Sequence, residues 1–126
     1  MPKQAILTAA APAPVGPYSQ AVRMGPLLFV SGQIALDLSG NRVQGGASRE
    51  TEKALENLKA VVEAAGATMD QVVKTTVYMT DLGDFKYMNQ AYERFFTGVT
   101  PARSTVQVAK LPRDAKVEIE AIAVIA

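Results

Sequence analysis

The last β-like run of the chain, residues 116–125, has an unusual distribution of apolar residues over its two faces. One alternating face is apolar throughout and consists of Val117, Ile119, Ala121, Ala123 and Ile125. The other face begins with Glu118 and Glu120 but continues with Ile122 and Val124. Because a solvated strand face seldom ends so apolar, the pattern predicts burial on both sides, against helices and against another subunit. The alternative is a monomer that leaves two apolar residues exposed.

Periodicity along the rest of the chain predicts the order ββ-α-β-α-ββ. The predicted strands are residues 20–24, 27–31, 72–80, 104–109 and 116–125, and the first two are expected to form a hairpin with its turn at Gly25-Pro26. The first helix is expected to begin with Ser48 as its cap, to carry Glu50 and Glu52 in its first turn, and to end at Gly66. Asp84 is expected to cap the second helix, which has an apolar stripe that includes Tyr92 and ends by Gly98. Residues 1–126 are therefore predicted to form a single α/β (α+β) domain, with a mixed sheet of five or six strands and two helices on one face.

The amino-acid composition excludes several kinds of catalytic and ligand-binding chemistry. The 126 residues include thirteen Lys and Arg, twelve Asp and Glu, and neither Cys nor His. A thiol nucleophile, disulfides and the commonest metal ligands are therefore excluded, and we expect no metal and no cofactor. The net charge of +1 gives no basic field for nucleic acid. Without a signal-like segment or a run of ~20 apolar residues, the chain is predicted to be cytoplasmic, with no membrane partner.

The last two predicted strands are expected to form a hairpin around residues 110–115. In that register Arg103, Thr105 and Gln107 share a sheet face with Glu118 and Glu120. One interpretation is a structural ion-pair network, because buried charges must be paired. The other is a site for a small carboxylate, which the planar fork of Arg grips with two parallel hydrogen bonds. Spacing alone does not choose between them.

Several motifs occur in order over nearly the whole chain. They are Gly16-Pro17-Tyr18-Ser19-Gln20-Ala21, Val30-Ser31-Gly32-Gln33, residues 74–77 leading into Asp81-Leu82, Asp84-Phe85 with Asn89, Pro101-Ala102-Arg103-Ser104 and Val117-Glu118-Ile119-Glu120-Ala121. In this combination the chain resembles the reactive intermediate deaminase (Rid/YjgF) family. The resemblance implies a chorismate-mutase-like fold and a homotrimer with sites between subunits. It also implies cofactor-free hydrolysis of 2-iminobutanoate or 2-iminopropanoate, imines that derive from pyridoxal-phosphate dehydratases.

The resemblance also implies residue roles. Arg103 matches the arginine that binds the substrate carboxylate, and Glu118 matches the glutamate near the attacking water. Tyr18, Ser31, Gly32 and Asn89 match residues that line the pocket, and Thr105 stands where many members have Cys. The connection over residues 98–101 is shorter than in many members, which affects the pocket rim.

Simpler explanations remain open for several of these residues. Tyr18 also suits a gap beside the Pro-rich segment, Ser31-Gly32 suits a turn, and Asn89 suits a solvated helix position. Three other functions are retained as alternatives: a non-catalytic trimer that binds small carboxylates, an RNA-acting translation inhibitor or ribonuclease, and, from fold analogy alone, a chorismate mutase.

Overall fold

The structure is a computed structural model that describes residues 2–126. A six-stranded sheet is built from β1 (Gln4–Ile6), β2 (Ala21–Met24), β3 (Leu27–Gln33), β4 (Val72–Met79), β5 (Ala102–Gln107) and β6 (Val117–Val124). Two helices, α1 (Gly46–Ala64) and α2 (Phe85–Tyr92), lie between strands in the chain. The predicted mixed α+β sheet with two helices is confirmed. Strand β1 was not predicted.

The strand order across the sheet is β1-β2-β3-β6-β4-β5. The predicted hairpin of β2 and β3 is confirmed, and Gly25 in its turn has a φ of 60°. The predicted hairpin of the last two strands is wrong, because β6 lies between β3 and β4 and does not pair with β5. Strand β5 instead pairs in parallel with β4, and α2 supplies the crossover that a parallel connection needs. The sheet therefore ends in a polar edge strand.

Both helices cover one face of the sheet. Buried side chains of α1, including Leu55, Leu58 and Val62, pack against Ile119 and other core residues of β6. Gly66 follows the helix with a φ of 85°, as the predicted end requires. The predicted start is wrong, since α1 begins at Gly46 with Gly45 as its N-cap residue.

Glu50 does not occupy a solvated position in the first turn of α1. Its side chain is fully buried, and one carboxylate oxygen accepts a hydrogen bond of 2.8 Å from the backbone N–H of Lys116. The other oxygen lies 3.4 Å from Nη2 of Arg42. Glu50 therefore connects the helix to the loop before it and to the start of β6.

The second sheet face carries no helix. Its large apolar residues are 38–46% exposed and are Met24, Leu27, Phe29, Val106 and Val124. The register places Ile122 and Glu118 on the same face. As predicted, the apolar residues Ile122 and Val124 share a face with Glu118. The exposed apolar residues of this open face are a group on one surface and not isolated positions.

Candidate functional site

Glu118 contributes to a pocket of about 320 Å³ on the side of the sheet where β3 and β6 meet. Four of the predicted site residues line this pocket: Tyr18, Ser31, Gly32 and Glu118. The rest of its wall comes mainly from the Pro-rich segment before β2, the residues that follow β3, and Pro112. We call this the Glu118 pocket.

The absence of a side chain at Gly32 makes room for Glu118. A Cβ atom at Gly32 would lie 2.2 Å from Oε2 of Glu118, far closer than atoms can approach. The pairing between β3 and β6 is irregular at this point, between Val30 and Gln33. The missing side chain at Gly32 therefore lets the Glu118 carboxylate approach the backbone closely, whereas a simple turn would need no such approach.

The electrostatic surroundings of Glu118 favour its protonated form. Burial raises the pKa of the Glu118 carboxyl, and the neighbouring charge of Glu120 raises it further. Glu120 itself is exposed and accepts a hydrogen bond of 3.0 Å from the hydroxyl of Tyr78. A half-buried carboxyl with a raised pKa is a better proton acceptor, when ionised, than an ordinary glutamate.

Gln20 fixes the outer wall of the Glu118 pocket. Its buried amide oxygen accepts from the backbone N–H of Thr8 at 2.7 Å, and its Nε2 donates to the carbonyls of Thr8 and Pro12 at 3.1 and 2.9 Å. Ser31 ties the same region to the sheet, since its hydroxyl donates to the Ser19 carbonyl at 2.6 Å. Tyr18 is half exposed, and its hydroxyl accepts from the backbone N–H of Val15 at 3.2 Å.

Arg103 lies in a second pocket, of about 390 Å³, between α2 and the start of β5. Asn89, Tyr92 and Glu93 of the α2 region line it, together with Phe96, Thr100 and Pro101. We call this the Arg103 pocket. The Arg103 guanidinium carbon lies 4.8 Å from the centre of the Tyr92 ring and 5.6 Å from that of Phe85. Such distances are typical of cation–π contacts.

Arg103 is not used as an ion-pair partner in its own chain. Among the described residues, no carboxylate lies within 4.0 Å of its guanidinium, and its one side-chain hydrogen bond runs from Nη1 to the sulfur of Met88 at 3.9 Å. The proposed structural network with Glu118 or Glu120 is therefore wrong within one chain. The Arg103 fork remains available to an anion.

The predicted common face of Arg103 and Glu118 is also wrong. In the β4–β5 register Arg103 is opposite Thr75, and Thr105 is opposite Val77, both on the helix-covered face. Glu118 is opposite Tyr78 on the open face. The error follows from the false hairpin, because inserting β4 between the two strands changes which residues align. Each chain thus carries Glu118 and Arg103 in two separate pockets.

Thr105 lines neither of the two pockets. Its hydroxyl is buried, and within residues 2–126 it has no hydrogen-bond partner. It lies two residues after Arg103 on the same face of β5.

Asn89 is half-buried and lines the Arg103 pocket, so it is not a freely solvated helix position.

Two site features were missed from the sequence. Gln20 was treated only as a strand residue, although a buried Gln beside three prolines needs partners for its amide. Tyr92 was assigned to the apolar stripe of α2, yet its hydroxyl lies 2.7 Å from that of Thr75 in the buried layer under Arg103.

Residues 2–126 contain no group of three or more acidic, His or Cys side chains that could hold a metal ion. No helix in this range is long and apolar enough to cross a membrane.

The fold and the two pockets define a small α+β protein with an open sheet face and an arginine that forms no ion pair within the described residues. The family model described as endoribonuclease L-PSP matches residues 8–125. The chain belongs to this family, the Rid/YjgF family, and the predicted membership is confirmed.

Individual relatives are similar over almost their whole length. A 2-iminobutanoate/2-iminopropanoate deaminase of Salmonella typhimurium is 50% identical, with 94% of this chain and 95% of that protein covered. A RutC family protein of Pyrococcus abyssi is 48% identical, with 98% of both chains covered. The crystal structure of Escherichia coli TdcF with bound serine is 43% identical, has a TM-score of 0.93 and covers 98% of this chain and 99% of that one.

Proposed function

We propose that this protein hydrolyses 2-imino acids such as 2-iminobutanoate and 2-iminopropanoate to 2-oxo acids and ammonia. The observation that carries the proposal is the unpaired Arg103 fork, which faces a pocket and offers two parallel hydrogen bonds to a carboxylate. The name of the Salmonella relative and the serine bound to TdcF, an amino acid with a carboxylate, agree with it.

In the proposed reaction Arg103 holds the substrate carboxylate and thereby orients the imine carbon. Glu118 takes a proton from water while the water oxygen bonds to the carbon of the protonated imine, whose C=N π electrons move to nitrogen. Glu118 then returns that proton to the carbinolamine nitrogen. The carbon–nitrogen bond breaks as the hydroxyl gives its proton back to Glu118, and ammonia leaves with the 2-oxo acid behind. The raised pKa of Glu118 makes its carboxylate a stronger base than that of an ordinary glutamate.

The pocket residues complete the proposed site. Tyr18, Ser31 and Gly32 shape the cavity around the water, and the backbone beside Gly32 supports charge that develops on the substrate. Asn89 supplies a polar contact next to the carboxylate, and the Thr105 hydroxyl lies within the same layer as Arg103. No metal or cofactor takes part in this scheme.

Arg103 and Glu118 act together only if they come from different subunits. Since the sheet separates them in one chain, we propose a homotrimer in which the Arg103 pocket of one subunit meets the Glu118 pocket of its neighbour. The apolar residues of the open face, among them Phe29 and Val124, supply the surface for that association. A trimer mass in sedimentation equilibrium is the expected result, and a monomer at micromolar concentration would contradict it.

The substrates are unstable small molecules, which suggests where they arise. Enamines released by pyridoxal-phosphate dehydratases tautomerise to these imines, so we propose a functional link to such enzymes in the cytoplasm. Because the imines hydrolyse in water unaided, a modest acceleration is sufficient for the role.

The test uses a purified threonine dehydratase that generates 2-iminobutanoate in the assay. The protein should speed the appearance of 2-oxobutanoate, and Arg103→Lys should lose nearly as much activity as Arg103→Ala because Lys cannot form the bidentate pair. Full activity of Arg103→Lys would contradict the role of the fork. If the wild type binds 2-oxobutanoate without turnover, the non-catalytic carboxylate-binding alternative replaces the proposal, and RNA cleavage without imine hydrolysis would favour the ribonuclease alternative.

A further inference from the structure

Three side chains on one face of α2 contact the Arg103 guanidinium. Phe85, Met88 and Tyr92 are three and four residues apart, so they lie on the same side of the helix. Of the two aromatic rings near the guanidinium, Tyr92 is the nearer and is 7% exposed, whereas Phe85 is 40% exposed. The Tyr92 ring is therefore the buried contact of the Arg103 guanidinium, and the Phe85 ring is its exposed contact.

The Tyr92 ring is held at both ends. Its hydroxyl pairs with the Thr75 hydroxyl at 2.7 Å in a buried position, and its ring lies 4.7 Å from that of Phe96. Thr75 is itself fully buried and is the residue on β4 directly opposite Arg103 on β5. The hydrogen bond thus links the ring to the same strand pair that carries the arginine.

The Tyr92 hydroxyl is not placed for acid–base chemistry. It points into the protein toward Thr75, and burial raises the pKa of Tyr92 from its ordinary value, so the hydroxyl stays protonated. Any effect of Tyr92 on substrate binding therefore acts through Arg103. The ring, 4.8 Å from the Arg103 guanidinium carbon, restrains where the guanidinium lies, while Nη1 donates to the sulfur of Met88.

We propose that Tyr92, anchored by Thr75, is a positioning residue that orients the Arg103 fork for bidentate binding of the substrate carboxylate. This inference rests on the proposed role of Arg103 as the carboxylate-binding group. It assigns to the Tyr92–Thr75 hydrogen bond an effect on ligand affinity and not only on folding.

The test is a double-mutant cycle with Tyr92→Phe, Thr75→Val and the double variant, which all remove the hydrogen bond but keep the ring and the packing volume. The Kd for 2-oxobutanoate and the KM for 2-iminobutanoate should rise about threefold to tenfold in each variant, in line with one lost hydrogen bond. The double variant should be no worse than either single one. Tyr92→Leu, which also removes the ring, should raise both constants further.

Two controls separate positioning from a general loss of structure. Tyr87→Phe removes an exposed hydroxyl from the same helix and should leave affinity unchanged. Binding of the uncharged analogue 2-oxobutanamide should be little affected by the variants, since it lacks the carboxylate that the fork recognises. Equal losses for 2-oxobutanoate and its amide, or unchanged affinity for 2-oxobutanoate in Tyr92→Phe and Thr75→Val, would overturn the inference.

The inference and the proposed function fail in different ways. A wild type that binds 2-oxobutanoate but does not hydrolyse imine refutes the function, and the variant affinities still decide the role of Tyr92. A wild type that hydrolyses imine, with variants that keep its KM, refutes the role of Tyr92 alone. A wild type that neither binds nor hydrolyses refutes both.

Discussion

Replacing Glu50 should reveal how strongly one buried carboxylate supports the fold. In Glu50→Ala, the Lys116 N–H and the Arg42 guanidinium lose their acceptor, and a cavity remains where the side chain is now fully buried. Removing one partner of a buried pair costs ~3–5 kcal/mol, and the 26% exposure of the Arg42 side chain places this case at the lower end. A loss of ~3 kcal/mol corresponds to a Tm decrease of roughly 10 °C for a domain of this size.

Thermal unfolding of the variants at one fixed protein concentration checks this prediction, because association makes Tm depend on concentration. Glu50→Gln keeps an oxygen for the Lys116 N–H and should lose about 1 kcal/mol, the value of a typical hydrogen bond or weak ion pair. Glu56→Ala is the matched control, since Glu56 lies on the same helix, is 44% exposed and pairs only with Lys53. It should change stability by less than ~0.5 kcal/mol. A Tm for Glu50→Ala within about 2 °C of the parent would refute the reasoning.

Three further predictions concern the Glu118 pocket. Glu118→Gln should lower kcat by ~10²-fold, the usual scale for a general base, and wild-type kcat should fall on acidification through a pKa above that of an ordinary glutamate. The raised pKa means that folding favours the protonated carboxyl of Glu118, so the folded state loses stability as the pH rises through the pKa of this carboxyl in the folded protein. Glu118→Gln, which cannot ionise, should therefore raise Tm at neutral pH. A lower Tm would contradict this sign. Gly32→Ala should leave Tm nearly unchanged, because a flexible carboxylate can move aside, yet should cut kcat by displacing Glu118, and parental kcat would refute the close approach. Gln20→Ala frees the Thr8 and Pro12 backbone, so faster proteolysis before residue 20 is expected, and parental resistance would show that other contacts hold the segment.

Local sequence patterns predicted many helices, strands and turns of the fold, because these elements depend on interactions between residues that are close in the sequence. The turn at Gly25, the core face of α1 and the two faces of β6 follow from periodicity and from backbone freedom at glycine. The two-sided apolar pattern of β6 was interpreted only as a sign of oligomerisation. It is equally the pattern of a central strand, and β6 does lie between β3 and β4.

The errors arose where distant segments determine the structure. Whether β5 pairs with β6 or with β4 depends on which pairing buries more surface across the whole sheet, and the connection around Pro112 permits either. The exposed, polar pattern of β5 agrees with an edge position, and α2 before it with a parallel crossover. Because β4 lies between β5 and β6, Arg103 and Glu118 are on opposite faces of the sheet. The sequence of either strand alone does not reveal this separation.

Single buried polar residues were the other source of error. Glu50 has the helical spacing of the core residues Ala54 and Leu58, so its burial is visible in the sequence once the stripe is extended backwards. Its partner, the backbone N–H of Lys116, is not visible there, because that contact joins residues 66 positions apart. The candidate site residues follow from the combined motifs and remain predictions, and the structure shows that Arg103 and Glu118 lie in two separate pockets.

The central claim is that each active site takes Arg103 from one subunit and Glu118 from its neighbour. It is tested most directly by unfolding and refolding together equal amounts of Arg103→Ala and Glu118→Gln, each nearly inactive alone, and then measuring imine hydrolysis. In random trimers a site is intact when both contributing subunits carry the correct residue, which gives about a quarter of the parental activity. The same mixture made from Arg103→Ala and Arg103→Lys should stay inactive. Recovery near a quarter is the predicted result, and activity no higher than that of the separate variants would contradict the shared site.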